Sequence, residues 1–150
     1  MSDLPSSVLF VCFLNSIRSP IAEGLMRKHF VEQIYVRSCG EERGELDTIM
    51  VGVMREVGVD MEGHVSQSFD DLNDASFDLV IALTDNARKA AEAAFEGLDV
   101  EFETWTTPDP SAGVIDVRSM MNNYRAVRDN IEARIKRRFG ETNNKTENIA

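Results

Sequence analysis

Cys12, Arg18 and Ser19 stand in one short stretch, Cys12-Phe13-Leu14-Asn15-Ser16-Ile17-Arg18-Ser19-Pro20. A Cys is followed by five residues, an Arg and a Ser. A thiolate is a strong nucleophile, and a guanidinium can fork two N–H bonds to a tetrahedral oxyanion. A loop that runs into a helix can turn successive backbone N–H groups of residues 13–18, from Phe13, Leu14, Asn15, Ser16, Ile17 and Arg18, toward one centre and cradle an anion. The same donors favour the ionised form of a Cys at the start of the loop. Ser19 can donate a hydrogen bond to the sulfur as it leaves. These parts suit in-line attack on phosphorus. The spacing alone is a weak signal, because a buried Cys at a strand end and an Arg in a helix-start ion pair would read the same way.

The elements around the stretch strengthen it. Val8–Phe13 is an apolar, β-prone run of the kind buried on both faces of a sheet. Ser19–Val31 has Ile21, Leu25, Met26 and His29 at helical spacing, with Pro20 in the first turn. Ile34–Cys39 reads as a strand, and Leu46–Val57 as an amphipathic helix. Ser68–Ala75 reads as a short helix or turn capped by Ser68 or Asp70. Phe77–Leu83, Thr84–Phe95 and Val100–Trp105 read as strand, helix and strand. Thr106–Gly113 is a Pro/Asp/Ser loop, and Val114–Phe139 contains a long helix. Strands alternating with helices predict an α/β domain with a parallel sheet and helices on both faces. Such sheets bind ligands at the carboxyl ends of their strands, where Cys12 would lie. Residues 1–139 are expected to form one three-layer domain, and 140–150 a polar, disordered tail.

A second group can do proton chemistry. Asp109 sits in Thr107-Pro108-Asp109-Pro110. The proline that follows biases Asp109 toward extended backbone, and its carboxyl could protonate a leaving oxygen and later activate water. Turn chemistry alone also accounts for Pro-Asp-Pro.

Composition narrows the classes. The chain has 150 residues and a formal net charge of −10. An acidic body repels nucleic acid and anionic membranes, so neither is an expected partner. The longest apolar runs are too short to span a bilayer, and no secretory signal is visible, so a cytoplasmic location is expected. Two cysteines cannot form a disulfide framework or a four-ligand zinc site. No cofactor and no metal are expected. No nucleotide-binding glycine signature is present.

The stretch VLFVCFLNSIRSPIAEGLMRKHF resembles the low-molecular-weight protein tyrosine phosphatases and the related thioredoxin-coupled arsenate reductases. The resemblance continues through VRSCG, VGVDMEGHVSQ, FDLVIAL and the Pro-Asp-Pro loop, over residues 7–139. It implies a four-stranded parallel sheet in the order 2-1-3-4. It implies a nucleophilic Cys12 that forms a phosphocysteine, with Arg18 and the loop N–H groups on the phosphoryl oxygens and Ser19 on the thiolate. Asp109 matches the general acid. Asn15, a residue type that tolerates left-handed backbone, would brace the loop against Ser38 and His64. Without the resemblance, His64 reads equally as a solvated turn residue.

The resemblance also sets up a choice of activity. The reductases relay a disulfide through two further cysteines, and Thr84 and Ala91 stand where those are expected. Other features lean toward the reductases: a short Gly40–Met54 segment with no aromatic residue, Trp105 four residues before Asp109, and Ser111-Ala112 where the phosphatases show adjacent tyrosines. The reading favoured is a cysteine-dependent phosphomonoester hydrolase of the protein tyrosine phosphatase type, with a phosphate or arsenate oxyanion as the loop's ligand and a phosphotyrosine protein as a candidate substrate. One alternative is an arsenate reductase using Cys12 and an external thiol. Another is a weakly catalytic oxyanion-binding regulatory module. Cys39 holds an Ala-like position beside the Cys12 loop. It is either a small packing residue or a redox partner that forms a reversible disulfide with Cys12 under oxidation.

Overall fold

A computed structural model describes residues 4–30, 32–73 and 76–140. The expected tail lies outside them apart from Gly140, and so does the end of the expected Ser68–Ala75 turn.

The strands are β1 (Ser7–Cys12), β2 (Tyr35–Gly40), β3 (Leu79–Ala82) and β4 (Glu101–Thr104), and the helices are α1 (Arg18–His29), α2 (Thr48–Arg55), α3 (Asp85–Ala94) and α4 (Val117–Phe139). All strand pairings are parallel, in the order β2-β1-β3-β4. This is the order the resemblance implies. The helices cover both faces: α1 packs on β1, β2, α2 and α4, whereas α3 packs on β1, β3 and β4.

Alternation along β1 builds two cores. Val8, Phe10 and Cys12 enter the larger one, beneath α1, α2 and α4, with Ile21, Leu25, Met26, Met50, Met54, Ile131 and Ile135. Leu9 and Val11 enter the smaller one, with Phe77, Val80, Ala87, Ala91 and Phe95. Burying side chains such as Leu25 or Ile131 stabilises by about 1.5–3 kcal/mol each. β1 is therefore held from both sides, and its carboxyl end is a firm platform.

Element ends moved where capping chemistry decides them. Asp47 caps α2 by accepting from the Met50 N–H at 2.9 Å, so the helix starts at Thr48 rather than Leu46. Thr84 is the cap of α3 rather than its first residue. Asp116 caps α4, which leaves Val114 and Ile115 in the preceding loop. The Ser68 region is one 3-10 turn, Phe69–Asp71, closed by reciprocal bonds between Ser68 and Asp71. His29 leaves the expected apolar stripe of α1 to bond Glu132 of α4 at 2.8 Å. No helix among the described residues is long and apolar enough to cross a membrane.

Candidate active site

Cys12 ends β1, and five residues later the chain enters α1 at Arg18. The intervening loop is held by its carbonyls. Cys12 O accepts from the Glu41 N–H at 3.0 Å and Phe13 O from the Glu42 N–H at 2.9 Å. Leu14 O accepts from the Gly44 N–H at 3.0 Å and from the Ser66 hydroxyl at 2.6 Å. Asn15 O lies 2.8 Å from His64 Nε2. Every peptide bond here is trans, so each N–H points opposite to the carbonyl of the residue before it. Outward carbonyls at 12–15 thus turn the N–H groups of Phe13, Leu14, Asn15 and Ser16 to the opposite side. The α1 N-cap, Ile17, makes no side-chain cap bond, so the amino end of the helix opens onto the same loop.

The outer shell needs close backbone approach. A Cβ on Gly40 would lie 2.7 Å from Asn15 N, Phe13 O and Glu42 O, all main-chain atoms. Only a residue without Cβ lets the 40–44 segment reach the loop.

Asn15 is the hub. Its φ of 57° is the left-handed conformation expected of it, and its side chain is fully buried. Asn15 Nδ2 donates to Ser19 Oγ and to Ser38 Oγ, each at 2.9 Å, and Oδ1 accepts from the Gln67 N–H at 3.0 Å. With the amide so oriented, Ser19 accepts from Asn15, and its own proton is available to Cys12 Sγ at 3.0 Å. Cys39 O, 3.4 Å away, is the alternative acceptor. Ser38 in turn donates to Glu23 Oε1 at 2.5 Å, and Glu23 pairs with Arg27.

Above the loop lies a cleft of about 350 Å³ lined by Cys12, Phe13, Leu14, Ser16, Arg18, Asp47, Asp109 and others. Arg18 Nη1 donates to Thr107 O at 3.0 Å, which ties the guanidinium to the Pro-Asp-Pro segment. Asp109 Oδ1 accepts from the Ser111 N–H at 2.9 Å and the Ser111 hydroxyl at 2.7 Å. The nearby Glu41 carboxyl is raised in pKa by burial and by the charge of Glu42, against the lowering effect of Arg18.

The structure therefore brings Cys12, Phe13, Leu14, Ser16, Ile17, Arg18 and Asp109 to one cleft, whereas Asn15, Ser19, Ser38 and His64 hold the loop from behind it through hydrogen bonds. Cys39 is set apart. It pairs with Val11, one step before Cys12–Gly40, and its side chain lies in the α3-side core. Burial first, and then the charge of Cys12, push the Cys39 thiol far up in pKa, so it stays protonated. The disulfide suggested by sequence proximity would need one of the two thiols to leave its face of the sheet. Sequence reasoning missed Glu23, Ser66, Gln67, Ser111 and Tyr124. Glu23, Ser66 and Gln67 lie inside the motif segments that carry the resemblance, Ser111 stood out only as a departure from it, and Tyr124 carried no signal beyond an apolar stripe. Among the described residues no three metal-ligating side chains converge.

This architecture has known relatives. The chain is 31% identical to the glutaredoxin arsenate reductase of Synechocystis sp. over 129 residues, covering 85% of this chain and 92% of the relative. It is 35% identical to an arsenate reductase of Bacillus licheniformis over 136 residues, covering 91% of this chain and 96% of that one. The solved structure of an arsenate reductase in a phosphate-binding state superposes with a TM-score of 0.72 at 28% identity, covering 89% of this chain and 96% of that one. The family model for low molecular weight phosphotyrosine protein phosphatase matches residues 7–148, and the chain belongs to that family.

Proposed function

We propose that this protein hydrolyses phosphate monoesters through a phosphocysteine on Cys12. The observation that carries the reading is one cleft holding a thiol beneath inward N–H groups, a guanidinium and a carboxyl: Cys12, residues 13–16, Arg18 and Asp109. Cys12 attacks phosphorus in line, and the phosphoryl oxygens sit among the loop N–H groups and Arg18. Ser19 turns its proton to the sulfur, which steadies the thiolate as nucleophile and later as leaving group. Asp109 gives its proton to the departing alkoxide or phenoxide. As a carboxylate it then takes a proton from the water that cleaves the S–P bond, and free Cys12 and inorganic phosphate result. An aryl phosphate suits the cleft. Phe13 is 45% exposed at its rim and offers the aromatic wall that Gly40–Met54 lacks, with Leu14 and Leu46 beside it.

A second reading, arsenate reduction, draws on the reductase names of the curated relatives. Cys12 would form an S–As(V) bond with loss of water. An external thiol would attack the sulfur, releasing arsenite and leaving a Cys12 mixed disulfide. A second thiol would then free Cys12 and depart as the external disulfide, so two thiols supply the two electrons. Cys39, sealed in the opposite core, supplies neither.

The test is metal-free hydrolysis of para-nitrophenyl phosphate between pH 5 and 7, with wild type beside Asp109→Asn and arsenate as competitor. Turnover that falls in the variant and is inhibited by arsenate supports the phosphatase reading. Absent turnover, with arsenite formed when glutathione or a glutaredoxin is added, supports reduction. Arsenate binding with neither activity would leave only an oxyanion-binding module.

A further inference from the structure

Asp109 must donate a proton in one step and accept one in the next, and its two carboxyl oxygens are not equivalent. Both bonds to it come from Ser111 and both end on Oδ1, from the N–H at 2.9 Å and the hydroxyl at 2.7 Å. No bond from the described residues reaches Oδ2. A proton on Oδ1 would face two donors, so Oδ2 is the oxygen that carries it.

The Ser111 hydroxyl has a second neighbour. Tyr124 of α4 is buried, donates from Oη to Asp47 Oδ2 at 2.8 Å, and lies beside Ser111. Its only hydrogen is committed to Asp47, so Tyr124 can offer Ser111 nothing but a lone pair. The Ser111 proton goes to Asp109 Oδ1 at 2.7 Å, a bond that is charge-assisted when the carboxyl is ionised.

We propose that Ser111 is a positioning residue for Asp109: it anchors Oδ1 and reserves Oδ2 for proton transfer. The proposal rests on the phosphatase reading for its catalytic meaning, but not for its geometry. The charged and titratable groups around Asp109 are Cys12 and Arg18 of the loop and α1, Glu45 and Asp47 of the segment leading into α2, and Tyr124 of α4. Substitution at Ser111 leaves all of them in place.

The experiment is a carboxyl-carbon NMR titration of Asp109 in wild type, Ser111→Ala and Ser111→Thr, with the pH profile of kcat/KM for para-nitrophenyl phosphate measured beside it. Loss of the hydroxyl removes a donor to the ionised form, so the Asp109 titration curve should move toward higher pH in Ser111→Ala. The alkaline limb of kcat/KM should move by the same amount, and Ser111→Thr should restore both. An Asp109 titration identical in all three proteins would overturn the proposal. A shifted titration without turnover in any of them would keep the positioning role and remove the phosphatase reading instead.

Discussion

Cys39 sits one ladder step from Cys12 and yet on the other side of the sheet: Val11 pairs with Cys39 and Cys12 with Gly40, and the two thiols enter different cores. Proximity along the strands is therefore not proximity of the sulfurs. Oxidation of Cys12 has no thiol of this chain to resolve it, since the sequence holds only these two cysteines. Peroxide treatment should carry Cys12 to sulfinic acid, or to a mixed disulfide when a small thiol is added. Non-reducing peptide mapping checks this, and a Cys12–Cys39 peptide in good yield would show that the sheet end opens in solution.

Cys12→Ser should reduce turnover of an aryl phosphate by at least about a thousandfold while phosphate binding stays near wild type, because the loop N–H groups and Arg18 remain. Isothermal titration with phosphate beside a steady-state assay separates the two effects. Unchanged turnover would remove the nucleophile assignment.

Gly40→Ala should be costly at a position with no catalytic atom. The added Cβ meets three main-chain atoms at 2.7 Å, two of which belong to the loop itself. Overpacking of this kind costs about 1–3 kcal/mol, and the shifted loop should also bind phosphate more weakly. Denaturant unfolding and phosphate titration of the same variant test both halves. Normal affinity with normal stability would mean that the 40–44 segment does not clamp the loop.

Asn15→Ala should lose about 2–4 kcal/mol, because it strands the Gln67 N–H, removes donors from Ser19 and Ser38, and places alanine at positive φ. Turnover should fall on the order of 100-fold as the loop relaxes. Asn15→Gly, which keeps the backbone conformation but not the bonds, divides the loss: stability close to that of Asn15→Ala assigns it to the hydrogen bonds.

Stability should also depend on pH through Glu56. Hydrogen bonds first from Arg125 and then from Arg128 lower its carboxyl from 4.5 to about 2. A depressed acid stabilises the fold above its unfolded pKa and loses that contribution as pH falls through the folded one. The acid limb of stability should therefore run from about pH 4.5 down to about 2, weaken with added salt because the pair is partly exposed, and flatten in Glu56→Gln. Urea melts across that range provide the check, and a limb of equal slope in the variant would count against the assignment.

What the sequence by itself determined was local. The apolar run of β1, the helical spacing of Ile21 and Leu25, and the Cys-x5-Arg-Ser run from Cys12 to Ser19 are short-range patterns that point to an α/β chain with an anion-cradling loop at a strand's end. The left-handed Asn15 came from the family resemblance, with which its residue type agrees, since Asn tolerates that backbone. Tertiary structure alone decided which groups face each other. Glu23 reaches Ser38, Ser66 reaches Leu14, and Tyr124 reaches Asp47 across 15, 52 and 77 residues of sequence. The face taken by Cys39 depends on a register that a one-residue slip would reverse. Such contacts are set by how helices seat on the sheet and by where each buried polar atom finds a partner. Both are properties of the packed whole, which no short window of residues contains.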